Sequence, residues 1–255
     1  MKSLIALTFL LMNVASAAKL TVLVGAYSFP PYVNLNEAGE ARMELLDILN
    51  RQQDKYEFRI VTTSPSRRYY DFERNAFDVM FFENRNWGWG KYPVEVSPVF
   101  LTGAENYVAL NMPGRDQRYF DSFKGKRMLG MRGYHYGFAG FNSDPEYLRR
   151  NFNMTGTTNN EATLRLLLEG KGDVAVITSA YLNEYLVTHP QLRSRLLISQ
   201  RIDQEYRHTV LVRQDYEPSA AELGMLLAEL EKKGVLQPLW QKYGASTAAT
   251  RSNKR

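Results

Sequence analysis

Short runs of β-branched and aromatic residues alternate with amphipathic stretches along almost the whole chain, the pattern of an α/β fold in which helices cover a largely parallel sheet. Strands are expected at residues 20–25, 56–62 and 77–82, with helices at 42–52 and 66–75 between them. A strand at 107–111 then leads away to Pro113-Gly114, a turn signal that reads as a boundary between lobes. A second α/β unit follows, with strands at 127–131 and 173–177, a glycine-rich turn over 130–140, a helix at 161–169 and another starting at 180–186. A strand at 208–213 and closing helices at 220–232 and 236–243 complete the pattern.

The first residues read differently. Lys2 precedes a short apolar run, and Ala15, Ser16 and Ala17 form the small-residue site of a cleavable leader, so residues 1–17 are expected to be a signal peptide and Ala18 the first mature residue. The run is too short to cross a bilayer. The chain has 255 residues and no cysteine, which removes disulfides and a lipoprotein anchor but leaves enough chain to bury a core. Its 32 Lys and Arg against 27 Asp and Glu are spread out, an excess that serves solubility rather than a nucleic-acid surface. Residues 245–255, rich in Ala, Thr and Ser and ending in Lys254 and Arg255, are expected to be disordered.

No enzyme signature stands out. His135, His189 and His208 are far apart and lack metal-ligand spacing, and neither a Gly-x-Ser-x-Gly elbow nor a phosphate loop is present. No catalytic residue, metal or cofactor is expected.

Four segments carry a likeness when taken in order. They are residues 20–32 ending in Phe29, Pro30, Pro31 and Tyr32; Arg74 to Val79; residues 123–133; and residues 164–177 with Glu169, Gly170, Lys171, Gly172 and Asp173. With the close from Lys233 through Trp240 to Gly244, this order resembles the bacterial extracellular solute-binding proteins of family 3, the polar amino-acid receptor type. The resemblance implies a two-lobed periplasmic binding protein fold of type II, with ligand held in a cleft between lobes joined by two crossing strands. The crossings would fall near residues 107–112 and 205–211, giving lobe 1 at 18–110 and 208–244 and lobe 2 at 111–207.

The resemblance also proposes site residues. Phe29 matches the aromatic residue laid against ligand, with packing of its own loop as the alternative. By ungapped count, Gly90 stands where the family's carboxylate-binding Arg would be and Thr178 where its acidic partner would be, which argues against a standard α-amino acid. Phe82, Glu83 and Arg85 fall at cleft positions, where Arg85 would replace the missing guanidinium and Glu83 would meet an ammonium, unless the two pair with each other or point to solvent. Arg68 begins a helix beside the cleft, a position where the helix dipole disfavours a cation, and so it points to ligand. In the second lobe, Gly133, Tyr134, His135 and Tyr136 replace a hydroxyl-bearing turn that takes an anion, with a glycine-rich surface turn of packing tyrosines as the alternative. Trp87 and Trp89 stand beside the cleft and either bind or pack.

The expectation is a monomeric periplasmic receptor that captures a small polar, carboxylate-bearing solute for the inner-membrane permease of an ABC importer. The alternatives are a sensor or accessory receptor without transport, and a periplasmic cyclohexadienyl-type dehydratase with Glu83 and His135 as first suspects.

Overall fold

A computed structural model describes residues 18–244. The expected leader at 1–17 and tail at 245–255 lie outside the described residues.

The first stretch supplies β1 (Leu20–Ala26), a small hairpin of β2 (Asn34–Leu35) and β3 (Ala41–Arg42), α1 (Glu44–Gln52), β4 (Tyr56–Thr62), the short α2 (Arg68–Glu73), β5 (Val79–Glu83) and β6 (Val94–Val96). Next come β7 (Leu101–Leu110), β8 (Met128–Met131), α3 (Pro145–Phe152), β9 (Met154–Thr157), α4 (Asn160–Leu168), β10 (Val174–Thr178) and α5 (Ser179–Thr188). The chain returns through β11 (Leu196–Arg213) and ends in α6 (Ala220–Lys232) and α7 (Gln237–Lys242).

Strand pairing divides this list into two lobes. The sheet order is β4-β1-β5-β11-β7-β10-β8-β9, with β6 also on β11. β1 runs parallel to β4 and β5, and β8 runs parallel to β9 and β10. Every pairing made by β7 or β11 is antiparallel. Two parallel α/β units are thus joined by an antiparallel pair of crossing strands.

β11 serves both lobes. Residues between Leu196 and His208 pair with β7, whereas Thr209, Leu211 and Val212 pair with β5. The expected strand at 208–213 covers only its end, because Gln200, Arg201, Asp203, Gln204, Glu205 and Arg207 interrupt the apolar pattern. Likewise β7 starts at Leu101, earlier than the expected residue 107, through the polar segment Thr102 to Asn106. Backbone pairing between the crossing strands, rather than side-chain burial, makes these residues extended.

Local chemistry sets the helix starts. Ser219 accepts from the Glu222 amide at the head of α6, Asn159 from Ala162 at α4, and Asp144 from Tyr147 at α3, where Pro145 fits the first turn. α6 buries Leu223, Leu227 and Leu230 on one face, each contributing about 1.5–3 kcal/mol. A cluster of Val108, Leu129, Leu164, Leu167, Ile177 and Leu182 makes a separate core for the second lobe, while the main core continues from the first lobe through the interlobe aromatic residues.

Candidate functional site

The end of β1 delivers Tyr27 and Phe29 to the space between the lobes. Phe29 closes a tight loop by exchanging backbone hydrogen bonds with Val33 at 2.9 and 3.0 Å. Its ring centre lies 5.2 Å from Tyr32, 5.7 Å from His208, 6.0 Å from Tyr134 and Tyr206, and 6.3 Å from Trp87. Phe29 therefore both packs its loop and faces the interlobe space.

β5 ends in a kink. Glu83 sits opposite Thr209 and Met80 opposite Leu211, so β5 carries one more residue than β11 over this interval, a bulge. Phe82 takes the left-handed conformation there, with φ of 59°, which is rare for a bulky residue. Its ring stacks on Tyr32 at 4.8 Å and is not among the side chains that line the interlobe cavity, in contrast to the expected contact with ligand.

Past the bulge, Glu83 is fully buried and its Oε1 lies 3.4 Å from Arg68 Nε. Trp89 Nε1 donates to Glu83 Oε2 at 2.9 Å, so this tryptophan packs lobe 1 and braces the carboxylate. Burial pushes the Glu83 pKa up, and the Arg68 guanidinium opposes that push. Burial acts to lower the Arg68 pKa, but Glu83 and the surrounding tyrosines more than offset it and the group stays charged. Arg68 Nη1 donates to the Pro65 carbonyl, while Nη2 donates to the Tyr69 hydroxyl at 2.7 Å and the Trp87 carbonyl at 3.4 Å. Tyr27 and Tyr69 flank the cation at 5.1 and 4.6 Å from their ring centres.

Arg85 is exposed. It neither pairs with Glu83 nor takes part in the cleft lining, in contrast to the expected ligand contact and in keeping with the solvent-facing alternative, because the bulge at Phe82 turns Glu83 inward and the following loop carries Arg85 outward.

The second lobe contributes the turn after β8. Gly133 has φ of 76°, and a Cβ there would stand 2.6 Å from Ser66 Oγ and 2.8 Å from Ser66 N, so the two lobes touch at this glycine. Tyr134 and His135 follow and face the first lobe. His135 Nε2 lies 3.5 Å from the Tyr69 hydroxyl, and burial followed by the nearby Arg68 holds its pKa down to about 3, so the ring is neutral. Tyr136 turns inward instead, and its hydroxyl accepts from the Met131 amide at 2.6 Å.

The crossing strands complete the site. Gln204 accepts from Trp87 Nε1 at 3.1 Å and donates to the His135 carbonyl, linking both lobes to β11. Behind it, Tyr206 donates to Glu105 Oε1, which also accepts from Thr178 at 2.9 Å. Burial raises the Glu105 pKa well above the carboxylate range, the Thr178 bond opposes this and Asp203 adds to it. Thr178 thus braces a buried acid on the neighbouring strand rather than facing the cleft.

One cavity lies where these parts meet, lined by Tyr27, Phe29, Arg68, Trp87, Gly133, Tyr134, His135, Gln204 and Tyr206. Its volume is about 10 Å³, room for roughly one water. Of the expected site residues, Phe29, Arg68, Gly133, Tyr134 and His135 converge on it; Phe82, Glu83, Tyr136 and Thr178 stand behind them. Tyr206 falls within the crossing expected near residues 205–211, whereas Gln204 had no sequence signal. Three buried polar atoms in the lining have no hydrogen-bond partner: Arg68 Nε, Tyr134 Oη and His135 Nδ1. Among the described residues no group of three His, Cys, Asp or Glu is placed to hold a metal ion.

Solved structures share this arrangement of two parallel units and two crossing strands. An ABC uptake transporter substrate binding protein from Streptococcus pneumoniae with bound histidine is 16% identical, with a TM-score of 0.67 over 88% of this chain and 92% of that one. The chain has the two-lobed periplasmic binding protein fold. A histidine kinase sensor domain with similarity to periplasmic binding proteins aligns at 19% identity and a TM-score of 0.66, covering 89% of this chain and 96% of its own. An ancestral amino acid-binding protein, a precursor of cyclohexadienyl dehydratase, aligns at 12% identity and a TM-score of 0.63 over 88% and 95% of the two chains. No protein-family model and no curated protein matches the sequence. Among the described residues, no helix is long and apolar enough to cross a membrane.

Proposed function

We propose that this chain is a periplasmic solute-binding protein that captures one small polar molecule between its lobes and presents it to the permease of an ABC importer. The observation that carries the reading is the pair of buried polar atoms without partners, Tyr134 Oη and His135 Nδ1, whose side chains share one interlobe cavity with Arg68. A buried polar atom without a partner is unfavourable, and a ligand that supplies the partner stabilises the closed molecule. The rings of Phe29, Trp87 and Tyr206, steeply inclined to one another, offer an apolar corner for the rest of the solute, whose oxygen acceptor, a carboxylate or an amide, meets Arg68. The protein works as a monomer, exported by its leader.

A catalytic role has less support. Glu83 reaches the cavity only through Arg68, and His135 is a neutral imidazole, so the two first suspects are not placed as an acid and base pair. The likeness to a sensor domain supports a second reading, a receptor that reports ligand to a signalling partner. Stimulation of a reconstituted importer's ATPase by the liganded protein would select transport; its absence, with stimulation of a sensor kinase, would select signalling.

The direct test is a thermal-shift panel of amino acids, polyamines, organic acids, oligosaccharides and cyclohexadienyl acids. Ligand at about 100 times its dissociation constant adds about 2.7 kcal/mol, a rise of several degrees for a chain of this size. A selective shift, weakened at least tenfold in affinity by Arg68→Ala with the circular dichroism spectrum retained, is expected. Failure of the whole panel, together with the neutral amide counterparts of its acids, to shift the protein would sink the receptor reading.

A further inference from the structure

Arg68 enters the cleft with its counter-ion already in place. Glu83 lies against its Nε at 3.4 Å, both side chains are out of solvent, and the second Glu83 oxygen is held by Trp89. Glu83 is absent from the cavity lining, which carries one cation, Arg68, and no acid. The remaining polar groups of the lining, Tyr27, Trp87, Tyr134, His135, Gln204 and Tyr206, are neutral side chains. Glu105, the other buried acid nearby, is covered by Tyr206, whose hydroxyl it accepts.

We propose that Glu83 is the specificity-determining residue of the cleft: by holding Arg68 in an internal ion pair, it restricts the solute to ring-bearing molecules that carry an amide or carbonyl oxygen and no formal charge. The inference rests on the solute-receptor reading. A carboxylate placed beside Arg68 would share an enclosed site with Glu83, two anions against one cation, and the uncompensated charge would stay buried. An ammonium would find no acid in the lining to replace its water. A neutral oxygen meets neither penalty. It takes a hydrogen bond from the unpaired Tyr134 hydroxyl beside the Arg68 guanidinium, while its ring fits the corner formed by the mutually inclined rings of Phe29, Trp87 and Tyr206.

The test uses pairs that differ in charge and little else: benzoate and benzamide, nicotinate and nicotinamide, indole-3-acetate and indole-3-acetamide, with phenylalanine and histidine as zwitterions. Affinities are measured by calorimetry at pH 7.5 on the wild-type protein and on Glu83→Gln. In the wild type at least one amide binds, tenfold or more tighter than its acid and tighter than either zwitterion. In Glu83→Gln the order within the pair reverses, because the Arg68 charge becomes available to a carboxylate. An acid or zwitterion that binds the wild type as tightly as the amides overturns the proposal, as does an unchanged ratio in a folded Glu83→Gln. Should that variant not fold, the wild-type ranking decides, together with the double variant Arg68→Gln, Glu83→Gln, which removes both charges and keeps the amide preference. Binding of no compound in these pairs, with no shift in the broader panel, overturns the receptor reading itself.

Discussion

His208 lies on β11 beside the crossing, fully buried, with the rings of Tyr32, Tyr206, Phe29, Phe82 and Trp87 centred 5.1–6.2 Å from its own. Nδ1 donates to the Phe82 carbonyl at 3.2 Å, and Nε2 has no partner. Burial holds the pKa down to about 3, against an ordinary value of 6.5, with only the Phe82 carbonyl acting to raise it. The fold accommodates the neutral ring, so its contribution is complete above pH 6.5 and is lost as pH falls from there toward 3. At pH 5 the chain is about 1.5 pH units below the unfolded value, which at about 1.4 kcal/mol per unit removes about 2 kcal/mol. For a chain of this size that lowers the Tm by about 4–8 °C. The control is His208→Gln, which keeps a donor for the Phe82 carbonyl and does not titrate. Urea unfolding at pH 7.5 and pH 5.0 should show the wild type losing about 2 kcal/mol more than the variant between the two conditions. His135, Glu83 and Glu105 are present in both proteins and drop out of the difference. Equal losses in the two proteins would refute the argument that this ring is held neutral by burial.

Three further outcomes are expected. Gly133→Ala puts a Cβ within 2.9 Å of the Pro65 and Ser66 backbone, at a φ of 76° that itself costs about 1–2 kcal/mol, so the lobes should separate and the radius of gyration in solution scattering should rise above wild type; an identical radius would show that the lobes do not meet at this turn. Trp89→Phe removes the donor from Glu83 Oε2 in a sealed site and should reduce unfolding free energy by about 1.5–3 kcal/mol, with a loss below about 0.5 kcal/mol counting against the bracing role. Glu105→Gln keeps an acceptor for Tyr206 and Thr178 without an ionising group; since the raised pKa of Glu105 makes the wild type lose stability as pH climbs from 4.5 through the folded-state value, the variant's Tm advantage should grow from pH 4 to pH 8, and a constant difference would contradict it.

Where periodicity and capping agree, the sequence is enough. α6 spans the expected residues 220–232 because Ser219 caps a clean apolar face, and β4 spans the expected 56–62 because apolar and polar residues alternate from Tyr56 through Ile60. β11 escapes the same reading, since a crossing strand is held by its neighbour's backbone and tolerates Gln200, Arg201, Glu205 and Arg207 along its length. β9 is concealed for a similar reason, its Thr155 and Gly156 lying at the sheet edge. The site follows this division. Residues placed by loops at strand ends, such as Phe29, Gly133 and His135, are visible as unusual aromatic or glycine content in an expected turn. Gln204 and Tyr206 depend on finding β11 first. The inward turn of Glu83 depends on a one-residue bulge, which no local propensity announces.

On the receptor reading, a cleft filled by its own rings also sets the rate and strength of capture. With space for about one water, the packed lobes would admit no solute until they part, so ligand competes with the protein's own aromatic contacts for the same surface. The apparent dissociation constant is the intrinsic one divided by the fraction of molecules that stand open; a population about 1% open weakens binding about 100-fold. Substitutions that loosen the Trp87–Gln204–His135 link would then tighten uptake without touching the solute, and they would do so by speeding entry.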